Sequence, residues 1–96
     1  MNGAPPLPRP LLPDPIELVA LDADRNIRRR YSIAASIDLF GMIVVETRWG
    51  RIGTRGQAMS LAFEDQEAAD RYIAATLRRR DGAKKRIGVA YKRVQG

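Results

Sequence analysis

The chain contains no cysteine and no histidine. Disulfides, thiolate nucleophiles and the common zinc sites are therefore excluded. Serine–histidine and cysteine–histidine catalysis go with them, because the general base is missing. Carboxylates are present but scattered, and no spacing among them supports a hard-metal site or a paired acid–base site. No metal, no cofactor and no enzymatic activity are expected. Nothing approaches the run of about twenty apolar residues that a membrane-crossing helix needs. The N-terminal stretch also lacks the apolar core of a signal peptide. A cytoplasmic protein with no membrane partner is the expectation, nucleoid-associated if it binds DNA. Only one tryptophan is present, so its surroundings carry unusual weight.

What is present is a soluble globular composition of 96 residues, 45% apolar and 29% charged, enough for one modest core. Seventeen Lys and Arg outnumber eleven Asp and Glu, giving a net charge of +6. Such a balance favours polyanionic partners through counterion release, although many basic domains are simply basic. Its distribution says more. From Arg71 onward, nine basic residues face a single acid, Asp81. The positive field should be lopsided.

All six prolines lie between Pro5 and Pro15. Lacking an amide donor and with φ fixed, that arm cannot enter a sheet interior. Residues 1–15 read as a flexible, extended leader, and residues 16–96 as one folded domain. Ile16 to Asp22 is a short apolar run ending in the turn signal Asp22-Ala23-Asp24-Arg25-Asn26. Arg30 to Asp38 alternates, with Tyr31, Ile33, Ala35 and Ile37 on one face. After a turn at Phe40-Gly41, the segment Met42 to Trp49 lines up Ile43, Val45, Thr47 and Trp49 at period two. Gln57, Met59, Leu61 and Phe63 then alternate with Ala58, Ser60 and Ala62.

The period changes after Asp65, a plausible N-cap. Ala69, Tyr72, Ile73, Thr76 and Leu77 form the stripe of an amphipathic helix. Arg78 to Arg80 suit its negative end, and Gly82 is a candidate left-handed terminator. Alternation of Ile87, Val89 and Tyr91 suggests an extended piece or closing strand in the tail. The predicted architecture is α+β: an antiparallel sheet of about four strands, with a short fifth possible, and one helix packed across one face.

Trp49-Gly50-Arg51-Ile52-Gly53, followed by Gly56, sets the indole in a glycine-rich connection beside Arg48 and Arg51. A lone tryptophan is most often a buried anchor. At a strand end it can also bury one edge and stack the other on a sugar or base. The glycines supply positive φ or close backbone approach. As a phosphate loop they are weak, because no Walker lysine follows and no helix starts there. Arg48, Arg51 and Arg55 around this connection are either solvated hairpin charges or, with the indole, contacts for a sugar–phosphate end. Arg28-Arg29-Arg30 can contribute a backbone-contacting patch. Arg78 and its neighbours, and Lys84-Lys85-Arg86, either cap the helix or reach phosphates.

The string resembles the signature of the WGR domain, found in DNA-dependent poly(ADP-ribose) polymerases and in small free-standing bacterial proteins. The resemblance extends to Arg25-Asn26 with Tyr31, Leu39-Phe40-Gly41, Gly56-Gln57, Phe63 and Ala68-Ala69, in family order from about Ile16 to Tyr91. It implies an antiparallel sheet with a helix across it and binding near a DNA strand break. Trp49 would stack on the sugar at a terminus, and Arg51 would help hold DNA or a neighbouring domain. In the family a Gly-Tyr pair usually follows basic residues, whereas here Val89-Ala90 separate Gly88 from Tyr91. Nothing in these residues resembles the polymerases' catalytic or zinc-finger domains, so ADP-ribosylation is not carried over.

The expected function is non-enzymatic binding of nucleic acid, DNA ends or nicks above all. Trp49 and Gly50 would form the contact, Arg48, Arg51 and Arg55 would hold phosphates, and Arg78 and Lys85 would extend it. The rival expectations are a protein-interaction adaptor using the same loop, and a single-stranded DNA or RNA binder.

Overall fold

The computed structural model describes residues 9–10, 15–83 and 88–94. Its strands are β1 (Arg9–Pro10), β2 (Ile16–Asp22), β3 (Ile27–Ile37), β4 (Ile43–Arg51), β5 (Gln57–Phe63) and β6 (Lys92–Val94). One helix, α1 (Gln66–Asp81), lies between β5 and β6. The main sheet runs β5-β4-β3-β2-β6, every neighbour antiparallel, and β1 pairs with the far end of β3. The α+β architecture is thus as expected, with a five-strand sheet and a two-residue addition.

Two residues of the proline-rich arm contribute that addition. Arg9 and Pro10 pair with Ile37 and Ser36, just beyond the last β2 partner, Ile33. This is the margin of the sheet, where a missing proline donor is tolerated.

β3 starts three residues earlier than periodicity suggests. Asn26 takes a positive φ of 56°, a conformation that asparagine tolerates well. Its amide donates to the Ala23 carbonyl at 3.1 Å, closing the turn. Arg28 and Arg29 therefore enter the ladder directly, opposite Leu21 and Ala20. On the other side the longer β3 gives β4 two further paired residues, Gly50 opposite Arg30 and Arg51 opposite Arg29. Trp49-Gly50-Arg51 consequently ends a strand rather than forming the turn.

Alternation places Ile16, Leu18 and Ala20 of β2, Tyr31, Ile33 and Ala35 of β3, and Ile43 and Val45 of β4 in the core. The hydroxyls of Thr47 and Thr76 are buried too. Each donates to a backbone carbonyl, of Met59 and Tyr72 respectively, which offsets the desolvation. Asp65 caps α1 by accepting from the Ala68 amide at 2.7 Å, a contact worth about 1 kcal/mol. At the other end Gly82 has φ −80°, not the left-handed value expected. The chain keeps nearly helical geometry there, and Ala83 is buried.

β5 alternates as expected, yet its inward face is not covered. Met59 and Leu61 remain 43% and 37% exposed, while Phe63 packs on Tyr72 at 5.4 Å between ring centres. The helix begins just past the end of β5 and crosses the sheet obliquely. By its last turn the Arg80 guanidinium stands over Tyr31 of β3. The middle of β5 is left behind. The tail's strand is Lys92–Val94, which pairs with β2, rather than the 87–91 stretch that alternates in sequence. Ile87 lies outside the described residues.

Candidate nucleic-acid interface

Trp49 is the last apolar residue on the inward face of β4, and α1 does not reach far enough to bury it. Its cross-strand partner is Tyr31. The two rings stack at 6.1 Å with 21° between planes. The Arg80 guanidinium carbon sits 4.4 Å from the centre of the Tyr31 ring, so indole, phenol and guanidinium form one layered unit. The core and rim readings of Trp49 both apply, since one part packs on the core and another lines open space.

That space is a cleft of about 330 Å³. Trp49 and Gly50 lie on one side, Arg28, Arg29 and Asn26 on another, and Arg51, Arg80 and Tyr91 complete it. Among the described residues, four arginines line it and no carboxylate does. A second cavity of about 240 Å³ opens on the other side of the indole, between Tyr31, Met59, Tyr72, Arg79 and Arg80. Trp49 and Arg80 thus form the partition between two hollows. The Nε–H of Arg80 is buried and donates to no partner among the described residues.

The glycines act on this arrangement through the backbone. Gly50 has φ +151° and Gly56 +68°. A Cβ on Gly56 would meet the Trp49 carbonyl oxygen at 2.3 Å, and one on Gly50 would meet the Gly56 Cα at 2.8 Å. The two chains of the β4–β5 hairpin touch here backbone to backbone. The close approach anticipated for these glycines is made to the chain itself.

Arginines on both faces brace the same region. Arg51 donates to the Asn26 carbonyl at 3.1 Å and to its side-chain Oδ1 at 2.8 Å, tying β4 to the β2–β3 turn. Arg30, on the opposite face, donates to the Thr54 carbonyl at 2.6 Å and to that of Arg55 at 3.2 Å. Arg25 bonds Asp22 at 2.7 Å and also donates to the Gly88 carbonyl, which anchors the segment carrying Tyr91.

The hydrogen bond from Arg25 holds the Asp22 carboxyl below its ordinary value of 3.8, desolvation opposing it in part. A carboxylate with a depressed value contributes stability above 3.8, and that contribution is lost as pH falls through the lower folded-state value. An NMR titration should place the Asp22 midpoint below 3.8 and return it toward 3.8 in Arg25→Gln. An unchanged midpoint in the variant would remove this account of the turn.

The residues singled out from sequence fall in different places. Trp49, Gly50 and Arg51 share the cleft. Arg48 points to the other face of the sheet, paired with Glu46 at 3.0 Å. Arg55 is exposed in the β4–β5 loop, and Arg78 is exposed in the last turn of α1. Lys85 lies outside the described residues. Arg80 and Arg29 were the less obvious members. The signal for Arg80 is the helical stripe itself, because Ala69, Ile73, Thr76 and Arg80 recur at steps of three and four. The signal for Arg29 is its shared parity with Tyr31.

The model of the WGR domain matches residues 15–86, three-quarters of the chain. The chain belongs to the WGR domain family. A relative from Sinorhizobium fredii (strain NBRC 101917 / NGR234), the uncharacterized protein y4dW, is 42% identical over 60 residues. That alignment covers 62% of this chain and 29% of y4dW, so the chain spans less than a third of that relative's length. In this WGR domain the signature divides its labour: the tryptophan stacks, the glycine forms the hairpin neck, and the arginine clasps a turn. Among the described residues no helix is long and apolar enough to cross a membrane.

Proposed function

We propose that this WGR domain is a non-enzymatic nucleic-acid-binding module that recognises the ends or nicks of duplex DNA. The observation that carries the reading is the cleft at Trp49, where, among the described residues, a half-buried indole meets four arginines and no acid. An aromatic face recognises a sugar or base only where stacking is interrupted, and a strand terminus is such a place. Arg28, Arg29 and Arg80 supply phosphate contacts beside it, and Arg51 adds charge while it clasps the turn. Arg55 and Arg78 extend the positive surface outward. The family's occurrence in DNA-dependent poly(ADP-ribose) polymerases supports the same reading.

The test is binding of blunt, nicked and uninterrupted duplexes over a salt series, with single-stranded DNA and RNA as competitors. Preference for ends and nicks is expected. The slope of log affinity against log salt should fall by about one in Arg80→Gln and stay unchanged in Arg48→Gln, which changes the far face. Equal affinity for all three duplexes would reduce the interaction to unspecific electrostatics. No binding at low salt would leave the adaptor reading. That alternative has its own observation, Phe40, which is 89% exposed on a hydrogen-bonded turn. There the Asp38 carboxylate accepts from the amides of Phe40 and Met42 at 2.8 and 2.9 Å.

A further inference from the structure

Among the described residues β5 is an edge strand, and nothing in its own sequence resembles a protected edge. Among the described residues it pairs only with β4, in continuous register from Trp49↔Gln57 to Ile43↔Phe63, with no bulge. Its sequence, Gln57-Ala58-Met59-Ser60-Leu61-Ala62-Phe63, has no charge and no proline. Edge strands ordinarily carry lysine, proline or a bulge to prevent pairing with another chain. Here the edge is seven residues long, and two of its inward apolar side chains, Met59 and Leu61, are exposed because α1 veers toward β3.

We propose that β5 is the interface through which two copies of this chain pair, antiparallel and two-fold symmetric about Ser60. Three features select a second copy as the occupant. First, register about Ser60 sets Met59 against the partner's Leu61 and Gln57 against the partner's Phe63, so the exposed apolar pair is self-complementary. Second, the chain carries +6, and most of its surface would repel a second copy; β5 is an uncharged strip within it. Third, the charges flanking the strip are complementary under this symmetry. Arg55 precedes β5, whereas Glu64 and Asp65 follow it, all three exposed. Antiparallel pairing brings the arginine of each copy beside the acids of the other.

The two-fold axis stands perpendicular to the sheet, because residues that share a face pair with each other. Both Trp49 clefts consequently open on the same side of one continuous sheet. Strand rise and spacing put the two indoles about 25 Å apart. The pair would present two equivalent arginine-lined hollows to one partner surface.

Sedimentation equilibrium of the chain alone, from micromolar to submillimolar concentration, should show a rise from 10.7 kDa toward twice that mass. Met59→Lys with Leu61→Lys places like charges opposite one another across the axis, at positions exposed in the single chain. Monomer at every concentration is expected, with an unchanged circular dichroism spectrum. Arg55→Glu should raise the dissociation constant at least tenfold, and Arg55→Glu with Glu64→Arg should restore it. Under oxidising conditions Ser60→Cys should give a disulfide-linked dimer. A wild-type chain that stays monomeric throughout would overturn the proposal. So would a dimer indifferent to both lysines, or a dimer in which Cys at position 60 fails to cross-link.

Discussion

Gly56→Ala is expected to lower the unfolding free energy by about 3 kcal/mol. Two penalties combine at this position. The backbone has φ +68°, a left-handed value that is strained for alanine. The added methyl would also stand 2.3 Å from the Trp49 carbonyl oxygen, an atom fixed in the hairpin backbone. Gly53→Ala provides the control. It has φ +88° but nothing within 4 Å of the new carbon, so only the conformational penalty of about 1 kcal/mol applies. Urea denaturation of the two variants beside the wild type separates the terms. If Gly56→Ala proves no worse than Gly53→Ala, the backbone contact at the neck contributes nothing.

Trp49→Ala should abolish the preference for DNA ends while leaving most of the salt-dependent affinity for duplex. Stacking of a nucleotide on an aromatic side chain is worth about 1–3 kcal/mol, a loss of roughly tenfold to over a hundredfold in end affinity. Charge contacts from Arg28, Arg29 and Arg80 persist in the variant, so unspecific binding survives. Trp49→Phe, which keeps a stacking face against Tyr31, should retain a substantial part of the preference. Equilibrium binding to nicked and intact duplexes of equal length measures both effects. An end preference that persists in Trp49→Ala would move the recognition elsewhere on the domain. Circular dichroism of each variant distinguishes a lost contact from a lost fold.

Much of this fold was legible because burial imposes a period. Tyr31, Ile33 and Ala35, then Ile43, Val45 and Thr47, alternate because only one face of the sheet is covered. Ala69 and Thr76 recur at helical spacing for the same reason. Where the structure departs from the sequence reading, long-range partners decide. β3 starts at Ile27 because Asn26 turns tightly and the β4 end supplies hydrogen-bond partners. The tail strand falls at Lys92–Val94 because β2 offers its edge there, although these residues are exposed and lack a periodic signature. β5 alternates in sequence like its neighbours, yet coverage of its inward face depends on the path of α1, which no local pattern states.

The site was half legible. Trp49, Gly50 and Arg51 stand out as a string, and Arg48 seemed to belong by adjacency. Strand pleating sends adjacent residues to opposite faces, which removes Arg48 from the cleft. Pleating and helical pitch bring in Arg29 and Arg80 instead, residues separated in sequence by half the chain. Tyr91 arrives through the Arg25–Gly88 contact, a link invisible to any window of neighbouring residues.

The hairpin neck at Gly50 and Gly56 has a consequence for what the signature encodes. Those glycines answer a demand of the main chain, whereas the ligand would meet arginines scattered over β3, β4 and α1. Shape and specificity are written at separate positions. A homologue could exchange its cleft arginines for other side chains, acquire a different ligand, and still carry the same tripeptide. The signature is therefore a label for a scaffold, and the vocabulary of the surrounding cleft is where divergent members would differ.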